Sequence, residues 1–150
     1  MKDKRQMVPV VGLLVTLVAA AYMVVQLSGQ TPPPSADFTN AAVADVQDAQ
    51  GRVVLSGRFQ AVDEDDDDVE RKATLAPTGV DADATGEAEV EFGKDAPANQ
   101  EVEFSIRNVS PNTAFTFVID GTPVATATAD ARGRAEVEVD VRMPGPTASR

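Results

Sequence analysis

The chain has 150 residues, with 24 Asp and Glu against 13 Lys and Arg, for a formal net charge of −11. Such an acidic body repels phosphate backbones, so a nucleic-acid partner is excluded. Cysteine and histidine are both absent, which removes thiol nucleophiles, disulfides, cysteine-linked lipids, imidazole bases and the commonest zinc sites.

Residues 1–7, MKDKRQM, set Lys2, Lys4 and Arg5 against Asp3 and read as a basic cytoplasmic tip. Val8 to Leu27 then runs twenty residues without a charge. As a helix it would span roughly 30 Å, the thickness of a bilayer core. Pro9 falls in the first turn, where it is tolerated. Basic residues before the run and acidic ones after it predict an N-terminus in the cytoplasm and a domain outside. Residues 8–28 therefore read as a transmembrane signal anchor in the cytoplasmic membrane, with the lipid bilayer as its partner. A cleaved signal peptide is the competing reading, with 8–18 as its apolar region and Ala19-Ala20-Ala21 as its cleavage site. The continuation YMVVQL keeps the run apolar past that site and favours the anchor. Residues 29–37 follow as a linker, where Pro32, Pro33 and Pro34 favour an extended spacer.

From Phe38 the hydrophobic period is two. GRAEVEVDV, 133–141, alternates Ala135, Val137, Val139 and Val141 with Glu136, Glu138 and Asp140. GEAEVEF, 86–92, sets Ala88, Val90 and Phe92 opposite Glu87, Glu89 and Glu91. Val102, Phe104 and Ile106 share one face of 101–106, and Phe115, Phe117 and Ile119 share one face of 115–119. In 52–59, Val53, Leu55 and Phe59 are the expected inward residues. Asp120-Gly121 is a hairpin cue between two β-prone runs. The expected strands are 42–47, 51–60, 69–76, 85–92, 100–108, 114–119, 123–129 and 133–141. An acidic all-β domain over 38–143 follows, an immunoglobulin-like antiparallel β-sandwich of seven to eight strands. An open barrel is the alternative. Residues 144–150 read as a disordered tail.

Three octapeptides, DAQGRVVL (48–55), DATGEAEV (83–90) and DARGRAEV (130–137), share the pattern D-A-x-G-x-[AV]-x-[VL]. Asp starts a turn, Gly supplies a positive φ, and the alternation launches a strand. Convergent turn chemistry and a duplicated hairpin unit both account for it.

Catalysis finds little support. Triads need a base beside the nucleophile, and only Lys72 and Lys94 could stand in for histidine beyond the membrane. Paired carboxylates can cleave glycosides, but the body has neither Trp nor Tyr to support a sugar ring. Oxygen-rich cation sites are the better chemistry. DADATGE, 81–87, resembles the start of a calcium loop, with Asp81, Asp83 and Thr85 at ligand positions. Its twelfth position is Phe92 where a bidentate Glu is needed, which disfavours an EF-hand. The other candidate is the run Asp63–Asp68, with Asp63, Asp65 and Asp67 on one side of an extended chain. Mutual repulsion favours a solvated connector between strands, and Arg71 and Lys72 just behind offer neutralisation. If 85–92 and 100–108 pair, Glu87, Glu89 and Glu91 share a face with Glu101 and Glu103. Like charges directly opposite destabilise a sheet, so Arg107, Arg134, bound cations or a staggered register must relieve them.

The layout of basic tip, single span, proline spacer and acidic β-domain resembles small anchored bacterial envelope proteins of no assigned function. Within the body, Ala84-Thr85-Gly86-Glu87-Ala88-Glu89-Val90 is similar to the A-T-G-x-A-x-V strand of the CHRD domain. That resemblance implies a β-sandwich. The family's histidine pair has no counterpart around Phe117–Gly121, so no functional residue carries over. The expectation is a non-catalytic extracytoplasmic interaction or structural module of the cell envelope, with an envelope protein as partner and no cofactor. A calcium-responsive module using Asp63, Asp65, Asp67, Asp81, Asp83 or Thr85 is the alternative.

Overall fold

Alternation of apolar and charged residues produces strands here, and among the described residues there is no helix. A computed structural model describes residues 35–64, 67–95 and 97–143. The basic tip, the apolar run Val8–Leu27, most of the linker and the tail 144–150 lie outside the described residues. No helix among the described residues is long and apolar enough to cross a membrane.

Among the described residues there are nine strands: β1 (Val43–Asp48), β2 (Val53–Arg58), β3 (Gln60–Glu64), β4 (Asp68–Pro77), β5 (Thr85–Gly93), β6 (Asn99–Arg107), β7 (Ala114–Ile119), β8 (Thr122–Thr128) and β9 (Ala135–Arg142). They form one antiparallel sheet in the order β8-β7-β1-β2-β4-β5-β6-β9, with β3 on β4. The sheet folds over on itself. β3, β4, β5, β6 and β9 make a first layer, and β1, β2, β7 and β8 a second. β4 joins the layers, pairing along most of its length with β5 and through Ala76 and Pro77 with β2. The two ends of the order, β8 and β9, come into contact without a backbone ladder, so the sheet is nearly closed.

The core lies between the layers. Val90, Val102, Phe104, Ile106 and Val141 enter it from the first, and Val46, Leu55, Phe117 and Ile119 from the second. Eight strands fall within two residues of their expected bounds. The ninth arises because 51–60 does not continue straight. The strand breaks at buried Phe59, and β3 carries the chain on into the first layer. In β2 the inward residues are Val54 and Leu55, with Val53 only half-buried. The pairing with β1 steps from Val46↔Leu55 to Gln47↔Val53, and the bulge at Val54 turns two successive residues inward. The Thr78 hydroxyl donates to the Val53 carbonyl at 2.5 Å, which occupies an acceptor the bulge exposes.

Turn chemistry follows the residues that demand it. Asp120 and Gly121 have φ of 48° and 80°, both positive, as the two-residue hairpin between β7 and β8 requires. The Asp120 carboxylate also accepts from the Val43 amide at 2.8 Å, pinning the start of β1. Two of the three echoed octapeptides adopt one geometry. In each, the first Asp accepts through Oδ1 from the amides two and four residues on, at 2.9 and 2.9 Å from Asp48 and 2.7 and 3.0 Å from Asp130. In each, the Gly amide donates to the Asp carbonyl and the Asp amide to the Arg carbonyl. The third copy does not share this turn, since Gly86 lies inside β5. The element the two share is the D-A-x-G-R turn.

These two turns differ in their surroundings. A Cβ at Gly51 (φ +75°) would meet nothing within 4 Å, whereas one at Gly133 (φ +69°) would lie 2.2 Å from the Val109 carbonyl oxygen. Gly51→Ala is expected to cost about 1 kcal/mol from backbone conformation alone. Gly133→Ala adds a backbone collision and should cost about 3 kcal/mol or more. Urea unfolding of the two variants checks this; equal losses would contradict the packing described.

Candidate functional site

Register decides where the charges go. Across the outer face of the first layer, Lys72, Glu89, Glu103 and Glu138 stand directly opposite one another on β4, β5, β6 and β9. The next row is Glu70, Glu91, Glu101 and Asp140, and the row on the other side is Thr74, Glu87, Ser105 and Glu136. Nothing staggers the carboxylates. Lys72 bonds Glu70 and lies 3.4 Å from Glu89. The neutralisation expected for the acidic run is therefore spent on this face. Arg71, on the alternate side of β4, points the other way with its Nε buried.

The electrostatics follow from the rows. Burial pushes Glu89, Glu101 and Glu103 above the ordinary glutamate value, and their neighbours add to the effect: Glu70 beside Glu89, Glu138 beside Glu101, Glu136 beside Glu103. The Lys72 hydrogen bond holds Glu70 below that value. Elsewhere the Thr39 hydroxyl lowers Asp37. Burial opposes ionisation of Asp48, but hydrogen bonds from Arg52 and Gln50 outweigh it and keep its carboxyl low.

A cleft of about 420 Å³ opens where β5, β6 and β9 end, lined among others by Glu91, Phe92, Asn99, Glu101, Asp140 and Arg142. It continues the acidic face to the end of the layer. Such a face offers dense negative charge on a flat surface, suited to a cationic surface or to screening ions.

Among the described residues, the two groups of expected cation ligands lie apart. Asp67 is exposed between β3 and β4, Asp63 belongs to β3, and Asp65 lies outside the described residues. Asp63 and Glu64 end β3, and Asp68 opens β4. Asp81 and Asp83 sit at the other end of the layer, since Asp68 pairs with Gly93 while Leu75 pairs with Gly86. Seven residues of strand separate the ends by about 23 Å. Within the calcium-like stretch, a turn closes from the Ala84 amide to the Asp81 carbonyl, and Thr85 is drawn into β5 opposite Arg107. Among the described residues, no three acidic side chains converge to hold a metal. Sequence alone could not supply the third acidic strand of the face, because β9 joins β6 only through a distant pairing. The chain matches no family model, no curated protein and no solved structure.

Two outcomes follow. Glu103→Gln, at the centre of a carboxylate row, should stabilise the domain by about 0.5 kcal/mol in dilute buffer, and the gain should vanish near 1 M salt. Denaturant melts at the two ionic strengths measure it. Glu89, Glu101 and Glu103 hold protons more tightly folded than unfolded, so stability grows as pH falls from neutral through their raised values toward 4.5. Asp37, Asp48 and Glu70 act oppositely, and their contribution is lost as pH falls through their lowered values. The melting temperature should rise from pH 7 to about 5 and fall below about 4; a monotonic decline from pH 7 would contradict this.

Proposed function

We propose that this is a single-pass protein of the cytoplasmic membrane that displays a non-catalytic, immunoglobulin-like β-domain outside it, as an interaction or structural module of the cell envelope. "Immunoglobulin-like" is meant broadly: two antiparallel layers packed face to face, with β7 returning beside β1 after a meander in the Greek-key manner. The module needs no resident cofactor, and its partner is another envelope component that meets the acidic surface.

The observation that carries this reading is the order of charge along the chain. A net +2 precedes twenty uncharged residues, and the remainder sums to −13. That order orients a span with its basic end inside. The carboxylate rows support the module reading, because a charged outer face keeps a β-domain soluble and its edges unpaired. Protease added to intact spheroplasts should remove the β-domain and leave a short membrane-bound stub. Full protection of the domain would refute the orientation.

A further inference from the structure

The N-terminal side of the domain is fastened to one particular end of the first layer. Ser35 bridges to Arg142, the last residue of β9. Three residues on, the buried Phe38 donates its amide to Gln100 Oε1 at 2.7 Å. The Gln100 amide in turn donates to the Pro97 carbonyl at 3.1 Å. Asp68, Gly93, Asn99 and Arg142 lie in one row across β4, β5, β6 and β9, so these attachments all fall at the same end. The opposite end carries the loops around Ser110, Asp81 and Asp130.

Resting on the anchor reading above, we propose that the domain is held with its Asp68–Gly93–Asn99–Arg142 end toward the bilayer and its Ser110 end outward. The argument is one of reach. Leu27 and Ser35 are eight residue steps apart, at most about 29 Å when fully extended. The eight steps of β6 measure about 27 Å along the strand, and the loop to Ser110 lies beyond them. With the Ser110 end toward the lipid, the linker would have to run fully extended beside the domain merely to reach Ser35. Two attachments within four residues also deny the domain a free pivot at Ser35.

Charge then sets how closely this end approaches. Among the described residues it carries Asp67, Asp68, Glu70, Glu91, Asp95, Glu101 and Asp140 against Lys94 and Arg142. Anionic headgroups repel such an end, so it stands off in dilute buffer and moves closer as salt screens it.

The chain has no cysteine, so single labels are clean. Ala98→Cys and Ser110→Cys lie just beyond the two ends of β6, and both positions are exposed. Each full-length variant is placed in vesicles of phosphatidylcholine and phosphatidylglycerol containing headgroup-nitroxide lipid, then labelled with an impermeant dye. The label at residue 98 should be quenched, more strongly in about 0.5 M salt than in dilute buffer. The label at residue 110 should stay bright throughout. Equal quenching, or stronger quenching at 110, overturns the orientation. Quenching at 98 that ignores salt overturns the stand-off alone. Variants that melt normally but do not float with the vesicles refute the anchor reading itself.

Discussion

Phe104 of β6 and Phe117 of β7 meet across the two layers, their ring centroids 5.1 Å apart and their planes tilted by 50°. Both are fully buried, and a ring pair of this geometry adds about 0.5–1.5 kcal/mol beyond the area it covers. No disulfide is available to a chain without cysteine, so burial must hold one layer on the other. Leu55, Leu75, Ile106 and Ile119 belong to the same core cluster, all with less than 3% of their surface exposed. Every strand has to present its apolar side to this cluster. A slip of one residue would turn a row of carboxylates inward, so the contact fixes the register of the whole sheet.

The acidic face is the consequence. Once Val90, Val102, Val137 and Phe104 point inward, Glu89, Glu103 and Glu138 have no choice but to align. The magnitudes show why the conflict is tolerated. Burying a Val or Phe is worth about 1.5–3 kcal/mol, whereas a like-charged cross-strand pair costs about 0.2–1 kcal/mol. Burial wins at each position, and Lys72 softens the rows at their β4 end. Burial, with the repulsion that remains added to it, holds Glu89, Glu101 and Glu103 above the ordinary glutamate value.

The strands were legible in the sequence wherever alternation was strict. Ala135 to Val141 and Val102 to Ile106 needed nothing beyond period two, and Asp120-Gly121 announced its hairpin through backbone demand alone. Sequence failed where structure departs from period two or depends on distant pairing. The bulge turned Val54 inward in place of Val53, while Leu55 and Phe59 are buried as expected. Phe59 looked like the end of a strand, yet it is where the chain passes between layers. The place of β9 beside β6 rests on residues 29 to 43 positions apart, and no local signal encodes it. The acidic run reads in the sequence as a connector between strands, and its described residues end β3 and open β4. Asp81 and Asp83 read as ligands because spacing was visible while the pull of β5 on Thr85 was not.

The two crossing connections are fastened to each other at the Ser110 end of the domain. The link from β6 to β7 and the link from β8 to β9 pass beside each other, and backbone bonds join them. The Val109 amide donates to the Gly133 carbonyl, the Asn112 amide to that of Ala129, and the Ala129 amide to that of Thr113. Asn108 and Asn112 take positive φ to make this possible, which asparagine tolerates better than most residues. The Asp130 carboxylate then closes the turn from within. Two connections that could have been independent loops therefore act as one clasp between the layers. A clasp of backbone bonds leaves its surface side chains on a fixed frame, so contact made there orders little additional chain. The backbone bonds that join these connections without a disulfide also preorganise the end of the domain farthest from Ser35.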